Sequence, residues 1–233
     1  MLIDNIKTVY RRIGQAATRA RRDPHGVRVV AATKLVDAGM IRQAVESGLR
    51  EFGENRVQEG REKIMTLRTE IPESSITWHL IGHLQKNKAG VAVELFNVIH
   101  SVDSPELVEV INKKAEKAGK LQRVLIQVKL SDEESKYGVV KKNVLPLLEV
   151  IDGMSNVKAE GLMTIPPYFD NPELSRPYFA ELRELRDFAE EEGFMLPELS
   201  MGMTNDFEVA IEEGATIVRI GTAIFGERQK EVK

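Results

Sequence analysis

The sequence predicts an α/β protein: a (β/α)8 TIM-type barrel preceded by an extra N-terminal helix. Three observations lead there. Eight strand-like runs, at 28–33, 50–53, 76–81, 97–101, 122–130, 157–163, 197–201 and 216–220, alternate with helix-like segments. Such alternation marks a parallel sheet, and eight is the number of strands that closes a barrel. The chain has 233 residues, close to the roughly 250 of one such barrel. The first strand runs into Thr33-Lys34-Leu35 with no G-x-G-x-x-G turn, which argues against a doubly wound open sheet.

The elements follow in order. Ile3, Ile6, Val9, Ile13, Ala17 and Ala20 recur at helical spacing, and Asp23-Pro24-His25-Gly26 stops the segment. Arg11, Arg12, Arg19, Arg21 and Arg22 in this acid-poor stretch could also suit an organelle transit peptide. The amphipathic spacing favours a helix over 1–23, packed under the domain with its arginines in solvent. Helices are expected at 37–47, 55–69, 85–94, 104–119, 141–152, 173–192 and 205–213. Asp103-Ser104-Pro105-Glu106 opens one of them and Gly119 closes it. Leu174, Phe179, Leu182, Leu185, Phe188 and Ala189 mark the buried stripe of the longest. With no linker or repeat, one domain is expected over 1–233, its barrel at 27–226.

Composition narrows the function. Net charge is -3, so no general attraction to nucleic acid or an anionic membrane is expected. There is no cysteine, which excludes disulfides, thiolate metal sites and thiol catalysis. No apolar stretch approaches a membrane span, and a cytoplasmic protein is expected. His79 and His83 are four apart, but at a strand end that spacing does not share a helical face; with His25 and His100 dispersed and no H-E-x-x-H motif, no metal site is predicted. Asp132-Glu133-Glu134 lacks the pattern of a calcium loop and reads as a solvated lid. Trp78 reads as core.

In barrels of this kind chemistry gathers at the C-terminal strand ends, and phosphate binds after strands seven and eight. Lys34 ends the first apolar run. A lysine there is either an ion-pair partner or, driven toward its neutral form by burial, a Schiff-base nucleophile for an aldehyde. Ser200 and Gly202 follow strand seven, and Gly221 and Thr222 follow strand eight. Hydroxyls and backbone amides at a helical start suit an anion. Arg219 interrupts an apolar strand; it either pairs a carboxylate such as Glu51 or Glu208, or donates to a pyridine nitrogen. In the second role it would keep that nitrogen unprotonated and weaken the ring as an electron sink.

These residues sit in longer blocks. They are Ala32-Thr33-Lys34, Phe52-Gly53-Glu54-Asn55-Arg56-Val57-Gln58-Glu59, Trp78 to Lys88, Ser131 to Gly138, Gly161 to Pro166, Leu199 to Met203 and Val218 to Gly226. In this order the chain resembles the pyridoxal phosphate homeostasis protein family, whose barrel is shared with the N-terminal domain of alanine racemase. The resemblance implies that Lys34 forms the internal aldimine with pyridoxal 5'-phosphate. It also implies that Ser200, Gly221 and Thr222 hold the phosphate, that Arg219 faces the ring nitrogen, and that Asn55 lines the pocket. His83 and Thr204 stand where relatives commonly carry proline and serine.

The resemblance further implies a carrier or buffer of the cofactor in vitamin B6 and amino-acid homeostasis, without strong catalysis. Recipients would be apo-enzymes that depend on the cofactor. The alternative is an amino-acid racemase, which needs a base on each face of the α-carbon. In alanine racemases the second base is a tyrosine from another domain; here Tyr137 and Tyr168 follow strands five and six. A monomer is expected.

Overall fold

Strands buried on both faces need helices over one face and a filled ring behind the other. Val98–Val102 is buried at every position, and so is Ile217–Ile220. The computed structural model describes residues 1–72, 75–131, 133 and 137–226. Its strands are β1 (Arg28–Ala32), β2 (Glu51–Glu54), β3 (Thr77–Leu80), β4 (Val98–Val102), β5 (Gln122–Lys129), β6 (Val139–Val140), β7 (Val157–Met163), β8 (Glu198–Ser200) and β9 (Ile217–Ile220). All pairings are parallel. The order β4-β3-β2-β1-β9-β8-β7-β5, joined by β4 to β5, closes an eight-stranded barrel. The two-residue β6 pairs Val128 and Lys129 of β5 outside that ring and was not foreseen, being too short to show a period.

The helices are α1 (Leu2–Arg19), α2 (Ala38–Glu46), α3 (Val57–Arg68), α4 (Ala89–Leu95), α5 (Pro105–Lys117), α6 (Val144–Asp152), α7 (Arg176–Glu191), α8 (Phe207–Glu212) and α9 (Thr222–Phe225). α1 to α8 fall where the periodicity puts them, with the starts of the 85–94, 141–152 and 173–192 segments tightened into 3-10 turns, and α9 is the short turn opened by Thr222. Two residues of the stripe expected on the 173–192 segment are out of place, Leu174 in the 3-10 turn before α7 and Phe188 on it. Leu174 and Phe188 are exposed, while Phe179, Leu182, Leu185 and Ala189 are buried. Trp78 is buried in the core between sheet and helices.

Helix α1 buries Ile6, Val9, Ile13, Ala16 and Ala17, but Ile3 faces solvent. It packs on α8 and α9. The expectation of solvated arginines holds for Arg11, Arg19 and Arg21 and fails for Arg12 and Arg22, which are partly buried. Arg12 grips Glu208 through Nε and Nη2 at 2.7 and 2.8 Å and lies over the Phe207 ring. Arg19 pairs Glu212, and Arg22 donates to the carbonyls of Ile211 and Ala215. The acids of α8 explain why basic residues recur on one side of α1. A two-pronged, partly buried pair with a stacked ring is worth more than a surface ion pair. Arg12→Ala is therefore expected to cost about 1–2 kcal/mol, read as a lowered urea midpoint.

Side chains alternate along the strands. Val29, Ala31 and Phe52 join the large core under the helices, while Val30, Val98, Leu125, Met163 and Ile217 form a separate cluster within the ring. The N-terminal floor of the ring is ionic: Arg28 meets Glu51 and Glu198, and Arg123 meets Glu160. The C-terminal end carries the residues singled out by the sequence.

Candidate functional site

Lys34 lies two residues beyond β1, half-buried at the C-terminal end of the barrel. It stands at the corner of a turn closed by Val36 N donating to Thr33 O at 2.9 Å. Leu35 follows with φ 61°, a position where a turn ordinarily wants glycine or asparagine. The left-handed backbone costs a leucine about 1 kcal/mol or more, and Leu35 is 70% exposed, so packing does not offset it. Hydrogen bonds hold the turn instead. Leu35 N donates to Glu59 Oε1 at 2.6 Å, and Lys63 Nζ donates to Thr33 O at 2.5 Å. Lys63 also bonds Glu54 and Glu59, and the Thr33 hydroxyl donates to Glu54. Burial raises the Glu54 carboxyl despite Lys63. Burial also works to raise Glu59, but Lys63 and the Leu35 amide outweigh it and hold that carboxyl below the usual range. Lys34 itself has no hydrogen-bond or ion-pair partner among the described residues.

Lys34 lines a pocket of about 440 Å³ with Ala32, Asp37, Met40, Gly221 and Thr222. β1 and β9 are neighbours, so the loop after the last strand faces the turn after the first. Grooves of similar volume open near Tyr10 and Arg50, and near Leu121 and Phe194. Both lie at the N-terminal ends of strands, where barrels of this kind do not place chemistry. Asn55 is exposed just past β2. Gly82, after β3, must be glycine, because a Cβ there would come within 2.8 Å of Asn55 C and Cα.

Arg219 is buried inside the ring, and neither Glu51 nor Glu208 pairs with it. Nη1 donates to Ser200 Oγ at 2.7 Å and Nη2 to Thr164 O at 2.9 Å. Burial without a carboxylate contact pushes its pKa down to about 10. Ser200 Oγ also meets His100 Nδ1 at 3.0 Å, and His100 Nε2 meets His79 Nδ1 at 2.8 Å. His79 Nε2 lies 3.2 Å from Glu51 Oε2, too oblique for a formed hydrogen bond. Burial lowers the pKa of His79 and takes that of His100 well below the ordinary value, so both rings are neutral. A neutral His79 beside the Glu51 carboxylate keeps its proton on Nε2. Its Nδ1 then accepts from His100 Nε2, and His100 Nδ1 accepts from the Ser200 hydroxyl. One directed chain thus runs from Arg219 through Ser200 and His100 to His79, whose Nε2 faces Glu51 without a formed hydrogen bond.

The structure brings Lys34, Gly221 and Thr222 to one pocket, while Ser200, Arg219 and Asn55 are not among the residues that line it. Ser200 points inward. The Thr204 hydroxyl accepts from Ala223 N of α9 at 3.4 Å. Sequence reasoning missed the roles of Glu54, Glu59 and Lys63 and the contact between His79 and His100, having weighed His79 only against His83 and taken His100 as dispersed. For Glu54, His79 and His100 the signal was a charged or imidazole residue within an apolar strand; Glu59 and Lys63, on α3, showed none beyond helical i,i+4 spacing. At the rim, His83 stacks on Tyr137 with centroids 3.7 Å apart and lies 3.9 Å from Asp103. The lid expected at 132–134 lies largely outside the described residues. Among the described residues no group of three or more His, Asp or Glu is placed to hold a metal ion, and no helix is long and apolar enough to cross a membrane.

Comparison with known proteins agrees with this geometry. Residues 4–229 match the family model described as alanine racemase, N-terminal domain. The pyridoxal phosphate homeostasis protein of Aquifex aeolicus (strain VF5) is 47% identical over 227 residues, covering 97% of this chain and 98% of that one. The structure of PipY from Synechococcus elongatus PCC7942 with PLP bound superposes with a TM-score of 0.85 at 34% identity, covering 97% of this chain and all of that one. The same protein without PLP gives 0.86 at 36% identity, with the same coverage. Full-length identity at this level, on a closed barrel carrying these residues, means that the chain belongs to the pyridoxal phosphate homeostasis protein family.

Proposed function

We propose that this chain binds pyridoxal 5'-phosphate at the C-terminal end of its barrel. There it carries or buffers the cofactor in vitamin B6 and amino-acid homeostasis. One observation carries the reading: the unpartnered amine of Lys34 shares a pocket with Gly221 and Thr222, with a buried guanidinium two residues before Gly221. The donor set fits the cofactor. It offers an amine for an aldehyde, small residues and a hydroxyl for a phosphate, and a guanidinium for a ring nitrogen. Bound there, the cofactor supplies an aldehyde that condenses reversibly with amines.

Lys34 is the covalent tether, Gly221 and Thr222 hold the phosphate, and Asn55 lines the mouth. Ser200 serves the site by bonding Arg219, and the Thr204 hydroxyl joins the phosphate cradle. Arg219 faces the ring nitrogen as a donor and leaves it unprotonated, which disfavours carbanion chemistry. Helix α1 and the barrel act as one domain, in the cytoplasm and as a monomer, and dependent apo-enzymes receive the cofactor. The relative solved with PLP bound supports the ligand.

The test is spectroscopic. Protein incubated with the cofactor is expected to absorb in the visible and to yield a borohydride-fixed adduct, and Lys34→Ala to lose both completely. Wild-type protein that gives neither would sink the proposal. Against the racemase alternative, D-product from L-alanine at on the order of 1 per second or faster would overturn the carrier reading. Timed release to an apo-enzyme would support it.

A further inference from the structure

We infer that Glu59, Lys63 and Glu54 are positioning residues that hold the Lys34 turn in the shape that presents its amine to an aldehyde. The inference rests on the cofactor reading above and deepens it. The residues on either side of Lys34 are clamped and Lys34 is not. Thr33 is held through its carbonyl by Lys63 and through its hydroxyl by Glu54, and Leu35 through its amide by Glu59. The clamp is a built feature. Glu54 is fully buried, the Lys63 side chain is 11% exposed, and Lys63 Nζ is shared among three oxygens.

The plainer reading of Glu59 and Lys63 is an i,i+4 pair on α3 of small value. That reading leaves two facts aside. Glu59 reaches Leu35, 24 residues away, and Lys63 reaches Thr33, 30 residues away. Leu35, moreover, keeps a left-handed backbone with its side chain in solvent. A turn that strained would relax toward ordinary φ once released, and the amine at its corner would swing with it.

The step served is condensation. Neutral Nζ attacks the aldehyde carbon, a C=N bond forms, and the carbonyl oxygen leaves as water with the two amine protons. No electrons change hands. A reacting nitrogen misplaced by an ångström loses up to about a hundredfold in rate, so the clamp acts on rate and leaves the phosphate contacts alone.

The experiment times adduct formation between purified protein and pyridoxal 5'-phosphate, by visible absorbance and by borohydride trapping. Glu59→Ala is expected to slow it about tenfold. Glu59→Gln, which keeps an acceptor for Leu35 N, is expected to stay within about threefold of wild type. Leu35→Gly in the Glu59→Ala background is expected to restore most of the rate, since glycine takes positive φ without support. Lys63→Gln repeats the test from the Thr33 side should Glu59→Ala not fold. An unchanged rate in the clamp variants would overturn the inference, and so would slowing that Leu35→Gly leaves uncorrected. Wild-type protein without a Lys34-dependent adduct would instead overturn the cofactor reading, before any clamp variant is compared.

Discussion

Lowering the pH below about 6.5 is expected to drain folding stability, with a slope of at most about 1.4 kcal/mol per pH unit for each of two buried histidines. Burial depresses the pKa of His79, with Glu51 opposing only in part, and that of His100 more strongly, with His79 and Arg219 adding to it. Both folded-state values lie below the ordinary 6.5, so the unfolded chain takes up protons first. The stability is fully present above 6.5 and is lost as pH falls through the depressed folded values. Glu54 and Asp103, raised by burial, act in the opposite sense. The check is therefore a difference profile: urea midpoints against pH for wild type and for His79→Gln/His100→Gln. A wild-type slope no steeper than that of the double variant would refute the account. Spectroscopy should follow stability, because a cation on His100 places like charge beside Ser200 and Arg219 and removes the acceptor for the Ser200 hydroxyl.

Gly161→Ala is expected to cost about 4 kcal/mol or more, at the extreme of single substitutions. A Cβ on Gly161 would fall within 2.6 Å of Glu198 C and 2.7 Å of Glu198 Cβ, so the collision is with the neighbouring strand's main chain. No rotamer change relieves that, and parting β7 from β8 opens the ring. The glycine follows a register shift, where Ala159 faces Val124 but Gly161 faces Leu125, leaving Glu160 as the extra residue that meets Arg123. Such bulges re-aim side chains at the rims of barrels. Loss of the cooperative thermal transition, or absence of folded protein, is the expected result; a stability within about 1 kcal/mol of wild type would show that the strands part easily.

Much of this was legible in the chain. Alternation of strands and helices forecast the barrel, and the strand-end rule brought Lys34, Gly221 and Thr222 to one pocket before any contact was known. What escaped were pairings that need the ring closed. His79 and His100 are 21 residues apart and meet because β3 and β4 are adjacent. Glu59 and Lys63 look like an ordinary helical pair until α3 is laid against the turn after β1. The inward aim of Ser200 was hidden for the same reason: spacing places a residue on a loop or strand and does not choose which acceptor its hydroxyl finds. The ion pairs of Arg12 and Arg19 were hidden because their partners, Glu208 and Glu212, are nearly two hundred positions later in the chain.

That separation has a further consequence. Asn5 bonds the carbonyl of Ile224 across 219 positions, and β1 completes the ring only by pairing with β9. The apolar face of α1 and one edge of β1 therefore find their partners only when the last units have been made. Contacts this distant in sequence slow folding. During synthesis the first sixth of the chain must wait with an open strand edge and an uncovered apolar helix. The barrel is thus expected to fold in a late, concerted closure, with the earliest segment among the last to be protected from hydrogen exchange.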